Sequence, residues 1–232
     1  MKKIFFLILF MSTFYNALPQ SFWMQDGSII ITPVSMNKFK DENVEGGPLL
    51  FKNWRMGKVV LKNHEQYDNV LLNFDAANNK FYFNKHDTAF ELVSAVEEIR
   101  VKDISNLNDS TNDMIFKNNI NGGGDKLKPN SYVEVLCNGK IPMFKQYTKI
   151  IEGENFTNGI ITSTKKYVLH TEIFAVSNNE ILPVKLNSHF FDELTSDKKD
   201  QVKAFVKSRH LNLKKETDFT EALSYYNSIS SS

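Results

Sequence analysis

From Val59 to Phe83 the apolar residues fall mostly on every second position. Val59 and Leu61 point one way, with Lys58, Val60 and Lys62 opposite. Val70, Leu72 and Phe74 share a side, while Asn69, Leu71, Asn73 and Asp75 take the other; Phe81 and Phe83 then share a face beyond a polar turn at 75–79. A period of two, broken by Asn-rich turns, predicts an antiparallel meander with one buried face. Further strands are expected over 89–93 and 96–101, making about five consecutive short strands.

Elsewhere the pattern is less regular. One strand is expected at 28–32, before a turn at Gly46-Gly47-Pro48. Residues 103–131 are rich in Asn, Asp, Ser and Gly and read as one long loop, mobile at 122–124. Strands resume at 131–137, and Asn138-Gly139 signals a hairpin returning over 140–147. A polar loop over 152–165 leads to a strand at 167–176, and Asn178-Asn179 turns the chain into 181–186. Pro183 marks this last strand as an edge or a bulge. The tail changes to a helical period. Val202, Phe205 and Val206 share one face of a first helix, with Asp197 and Asp200 at its start and Lys203, Lys207 and Arg209 toward its end, as the helix dipole favours. Asp218 with Glu221 reads as a capping box before Phe219, Leu223 and Tyr226. The fold class is therefore mainly β (α+β): an antiparallel meander or sandwich, or a partly open barrel, over 21–187, with a two-helix appendage over 188–232 packed on it.

The start of the chain sets the compartment. Lys2 and Lys3 precede the apolar run Ile4 to Met11, which is too short to span a bilayer, and small and turn-forming residues follow. Residues 1–20 read as a secretory signal, and the protein is expected to be secreted, periplasmic or associated with the outer envelope. No transmembrane span is expected in the rest. The single cysteine, Cys137, is far from the signal, so neither lipidation there nor an intramolecular disulfide is indicated. The formal charge of +1 falls to −1 once Lys2 and Lys3 are removed, and no long run of one sign occurs. That composition points to no nucleic-acid partner. The 19 Phe and 8 Tyr favour half-buried pleated surfaces.

The stretch EGGPLLFKNWRMGKVVLKNHEQYDNVLLNFDAANNKFYF resembles a pattern in a group of uncharacterised exported β-rich proteins of Gram-negative bacteria. A Gly-x-Pro turn, Trp-x-x-Gly-x-Val-x-Leu, and Tyr-x-Asn-Val-x-Leu are matched by Gly46, Pro48, Trp54, Gly57, Val59, Leu61, Tyr67, Asn69, Val70 and Leu72. The tail DKKDQVKAFVKSRHLNLKKETDFTEALSYYN is similar to theirs. The turn after Leu61 departs, having Asn63-His64 where Asp-Gly or Asn-Gly is usual. The resemblance implies export and a shared β scaffold, and brings no activity with it. Each matched residue also has a scaffold reason: close approach at Gly57, a cover over the sheet at Trp54, a turn bond at Asn69.

Catalytic signatures are sparse. His64, His86, His170, His189 and His210 show no metal-ligand spacing, so no metal or cofactor is assigned. No P-loop, G-x-S-x-G elbow or dinucleotide fingerprint occurs, and Gly122-Gly123-Gly124 lacks the Lys-Ser/Thr that phosphate cradling needs. His170 and Glu172 share a strand face and read as a solvated pair. Cys137 reads as a small buried hydrophobe. Trp54, Tyr67 and Tyr82 are the candidate binding residues, as an aromatic platform for sugar or peptide. The leading expectation is a non-enzymatic exported binding or assembly module with an envelope protein or polysaccharide as partner. Two alternatives stand beside it: a hydrolase of an envelope or extracellular polymer, and a carrier of apolar ligands around Phe81, Phe83 and Phe90.

Overall fold

The alternation is realised strand by strand in the computed structural model, which describes residues 31–40, 42–93, 95–103, 113–118, 120, 127, 130–153, 156–157, 160–161 and 165–230. The signal segment expected at 1–20, the start of the strand expected at 28–32 and the glycines at 122–124 lie outside these residues. The meander consists of β3 (Arg55–Leu61), β4 (Gln66–Asp75), β5 (Lys80–Lys85), β6 (Thr88–Leu92) and β7 (Val96–Val101), after two short strands, β1 (Ile31–Val34) and β2 (Val44–Glu45). Five strands follow: β8 (Met114–Lys117), β9 (Val133–Cys137), β10 (Met143–Glu152), β13 (Lys165–Ser177) and β14 (Glu180–Pro183); between β10 and β13 a small separate pair forms from β11 (Phe156–Thr157) and β12 (Ile160–Ile161). Helices α1 (Ser188–Leu194), α2 (Lys199–Ser208) and α3 (Glu216–Ser230) complete the chain.

One sheet holds twelve strands in the order β1-β6-β5-β4-β3-β7-β8-β9-β10-β13-β14, with β2 added to β13. Every pairing in it is antiparallel except β2 on β13. The sheet is open but strongly curled. In a flat sheet β5 and β8, four strands apart, would be about 19 Å from one another, yet the Phe81 and Phe116 rings meet at 5.0 Å. Three hydrogen bonds span the curl. The Tyr132 N–H donates to Asn79 Oδ1 (2.7 Å), Asn79 Nδ2 donates to the Tyr132 carbonyl (3.2 Å), and the Lys149 N–H donates to the Ala76 carbonyl (3.1 Å). Of the architectures the sequence left open, two stacked sheets are not what forms.

Bulges supply the bend. Gly57 pairs with Val70 and Val59 with Tyr67, so Asp68 and Asn69 of β4 oppose Lys58 alone. Asn69 takes the left-handed conformation (φ 57°) that such an insertion requires and that Asn tolerates. A second slip, at Val60/Leu61 against β7, lets Val96 and Ile99 both face inward although three residues apart. Gly57 permits the close approach of β3 to β7: a Cβ there would lie 2.3 Å from the Arg100 carbonyl oxygen and 2.6 Å from Leu72 Cδ1. The matched Trp-x-x-Gly and Tyr-x-Asn pattern is thus the sequence of a bulged hairpin.

The inner face carries two continuous cores. An aromatic one, with Phe74, Phe81, Phe83, Phe116, Tyr132 and Tyr147, fills the curl. A second, with Cys137, Met143, Ala175, Phe191, Val202, Phe219, Leu223 and Tyr226, binds the helices to the other end of the sheet. Asn227 of α3 locks that union. Its Oδ1 accepts from the Ile141 N–H (2.9 Å), and its Nδ2 donates to the carbonyls of Ile141 (2.9 Å) and Asn138 (3.0 Å). Gly139 (φ +130°) leaves room for it, since a Cβ there would meet Asn227 Cβ at 2.6 Å.

Several sequence expectations are corrected. The meander does not have a single buried face: Asn73, Asp75 and Tyr82 lie on its other side and are fully buried. The lead-in covers them, with Phe39, Val34, Leu49 and Trp54 packed around Tyr82 and Ala89, and Phe51 exchanging backbone hydrogen bonds with the Asn73 amide. The loop expected over 103–131 contains β8, whose Phe116 is wholly buried; four residues are too few to show a period. The return strand begins at Met143 and runs to Glu152. Three helices form, not two, because the seven-residue α1 is too short to register as a period. Asp218 lies inside the first turn of α3 and accepts from the Asn212 N–H (2.8 Å); it does not cap the helix with Glu221, which pairs with Arg209.

Candidate functional site

The three candidate binding residues do not share one surface. Tyr82 is fully buried under Phe39, ring centroids 4.9 Å apart, and its hydroxyl accepts from Lys38 Nζ (3.2 Å). Burial, with Glu91 and Asp75 adding to it, pushes that phenol up to about 12. Trp54 belongs to the same cluster, edge-on to Phe39. Tyr67 instead packs against the inner core, and its hydroxyl donates to Glu65 (2.7 Å). Tyr67 does line one wall of a surface groove of about 380 Å³, together with Asn69, Leu71, Phe83 and Lys85. On the other flank of the Asp68–Asn69 bulge a polar groove of about 490 Å³ is lined by Gly57, Lys58, Arg100, Lys102 and Asp113.

A half-buried charged cluster joins β9, β10 and α3. Glu134 and Lys145 are paired residues of neighbouring strands. The Tyr147 hydroxyl donates to the Glu134 carboxylate, and Lys145 Nζ donates to both carboxylate oxygens of Glu216 (2.9 Å each). Burial raises the Glu134 carboxyl above its ordinary range against the opposing pull of Tyr147 and Lys145. A raised carboxyl beside a lysine and a phenol is a combination used for acid–base chemistry. Here each of the four groups is already engaged by another, and Phe116 packs beside Tyr147. The set works as the polar seam between the aromatic core and the helices. Sequence reasoning missed it because the four residues come from three elements.

The remaining reactive side chains serve the frame. Cys137 is buried, which pushes its thiol up to about 11 and keeps it protonated and unreactive at neutral pH. Lys149 donates to the carbonyls of Gly47 (3.0 Å) and Leu49 (2.5 Å), fastening the lead-in, and burial lowers its pKa. His170 bonds to Glu152 across the β10–β13 ribbon (2.8 Å) and His189 lies 3.3 Å from Glu193. Among the described residues no three His, Cys, Asp or Glu side chains gather as a metal site, and no helix is long and apolar enough to cross a membrane.

Two surface features stand apart. The first is the outer edge of β13. β2 pairs with it at Lys165 and Lys166, β14 from Phe174 to Ser177, and Val184 donates to the Ile173 carbonyl. Between these neighbours the lane beside 168–172 holds no described strand. Backbone groups alternate along a strand, so Leu169 and Thr171, in phase with Ile173, direct their N–H and C=O groups into that lane. The adjoining ribbon exposes Ile150, Ile151 and Leu169, each more than two-fifths accessible. The second feature is a groove between α1 and α2 of about 540 Å³.

No family model matches the chain, and neither a curated protein nor a solved structure shows significant similarity to it.

Proposed function

We propose that this protein is an exported module of a bacterial envelope that works by binding or assembly rather than by catalysis, taking an extended segment of a partner beside β13. The lane between β2 and β14, which no described strand fills, carries this reading. It offers backbone groups without a partner among the described residues, in register with exposed apolar side chains, the two ingredients of strand addition: main-chain bonds for affinity and alternate side chains for specificity. The lane suits a free segment better than a second copy of β13. In an antiparallel self-pairing each copy's β2 would fall in the lane its partner's β13 must occupy. A polymer hydrolase finds less support, since the one raised carboxyl among the described residues, Glu134, is committed to the seam of β9, β10 and α3. A carrier of apolar ligands also finds less, since Phe81 is already ringed by Phe74, Phe116 and Tyr132 at 4.8–5.1 Å.

The test is affinity recovery from envelope fractions with the mature protein and two variants. Thr171→Pro removes an outward N–H and blocks the lane without breaking a bond to β10. Lys58→Ala changes a remote surface. A partner retained by the parent and by Lys58→Ala but lost with Thr171→Pro supports the reading. Recovery that is equal for all three, or nil, counts against it. Fractionation of the producing cell and N-terminal sequencing test export, with removal of about the first 20 residues as the expected result.

A further inference from the structure

The groove between α1 and α2 has a two-part lining. Lys199, Lys203 and Lys207 recur every fourth residue along α2 and so form one stripe. Phe191, Val202, Val206, Leu211 and Leu213 supply an apolar floor beside it. Three lysines face a single carboxylate, Asp192, which accepts from Lys199 (3.3 Å) and Lys203 (3.1 Å). Lys207 and His210 have no side-chain partner among the described residues. Two positive charges on this wall therefore go uncompensated before His210 is counted. The three lysines are exposed along the rim of a concavity of about 540 Å³ with Phe191 and Val202 buried at its base, a size typical of small-molecule sites.

We infer that this groove binds a small amphiphilic carboxylate, with the anionic head on Lys203, Lys207 and His210 and the apolar body along Val202, Val206 and Leu211. Charge and polarity are divided between wall and floor, which suits one anionic head on one apolar body. A polyanion would satisfy the lysines and leave the floor wet, and an uncharged hydrocarbon would leave the lysines unused. The site shares no residue with the β13 edge, so it is independent of the partner proposed there.

The experiment is isothermal titration of the whole mature protein with dodecanoate below its micellar concentration, and with dodecyltrimethylammonium and poly-glutamate as probes of the same body and of charge alone. Three proteins are compared: the parent, Lys203→Gln/Lys207→Gln, and Lys58→Gln/Lys102→Gln as a remote double change of equal charge. The expected result is saturable one-site binding of dodecanoate, weakened about tenfold by the groove pair and unchanged by the remote pair, with no binding of the cationic amphiphile. The groove pair alters exposed side chains and the remote pair half-buried ones, and unchanged circular dichroism confirms that both variants fold. The inference is overturned by absence of dodecanoate binding to the parent, by equal affinity in the groove pair, by equal binding of the cationic amphiphile, or by binding of poly-glutamate alone.

Discussion

Replacing Asn227 tests how the helices are fixed to the sheet. Its amide is 3% exposed and makes three bonds of 3.0 Å or less to the 138–141 turn. Alanine would leave the buried N–H and carbonyl of Ile141, and the part-buried carbonyl of Asn138, without that amide. At about 1 kcal/mol per lost bond, the low end of the range for orphaned buried groups, Asn227→Ala costs about 3 kcal/mol. With a urea slope of about 2 kcal/mol/M, the unfolding midpoint falls by about 1.5 M. Asn227→Asp is sharper because shape is kept. One oxygen still accepts from the Ile141 N–H, but the former donor becomes a carboxylate facing two carbonyl oxygens. At pH 7 this variant is expected to be less stable than Asn227→Ala. The pKa of the new carboxyl is raised in the folded state, so stability returns as pH falls and the acid donates one bond again. Ser228→Ala, one residue away and exposed, serves as the control. The measurement is urea unfolding followed by circular dichroism at pH 7 and at pH 4. A loss below about 1 kcal/mol for Asn227→Ala, or parent-like stability of Asn227→Asp at pH 7, would refute the account of α3 as locked through this amide.

Three further outcomes are expected. Gly57→Ala forces a methyl to 2.3 Å from the Arg100 carbonyl oxygen, so β3 must part from β7, and a loss of about 2–3 kcal/mol is expected in the same unfolding assay. Glu134 has a folded pKa raised by burial; its proton is held more tightly in the folded state, so its contribution is complete below the ordinary glutamate value and declines as pH rises through the raised one. Glu134→Gln, which still accepts from Tyr147, removes that decline and is more stable than the parent at pH 7 in pH-resolved thermal unfolding. Amide hydrogen exchange read by NMR should alternate along β13: Leu169 and Thr171 exchange fast, while Val168 and His170, turned toward β10, are protected. Uniform protection from 168 to 172 would show the lane to be filled.

What was legible along the chain was whatever depends on near neighbours. The period of two through Val59, Leu61, Val70, Leu72, Phe81 and Phe83 placed the meander and its inward side, because side-chain alternation in a strand is local. Asn138-Gly139 and Pro183 marked a turn and an edge strand for equally local reasons. The candidate surfaces were not legible. Trp54, Tyr67 and Tyr82 look alike in sequence as aromatic residues among polar ones, yet two join a covered cluster and the third turns to the opposite face. Asn73 and Asp75 read as solvent-facing because nothing nearby shows that Phe39, Leu49 and Phe51 fold back over them. The groove on α2 exists only because α1, too short to betray itself, lies alongside. Curl, strand order and the second cover of a face all depend on contacts between residues far apart in the chain, whose formation is decided by which apolar surfaces find one another once the strands are made. Local periodicity therefore set the strands and their inner sides, and tertiary packing alone decided which outer faces, edges and clefts were left for a partner.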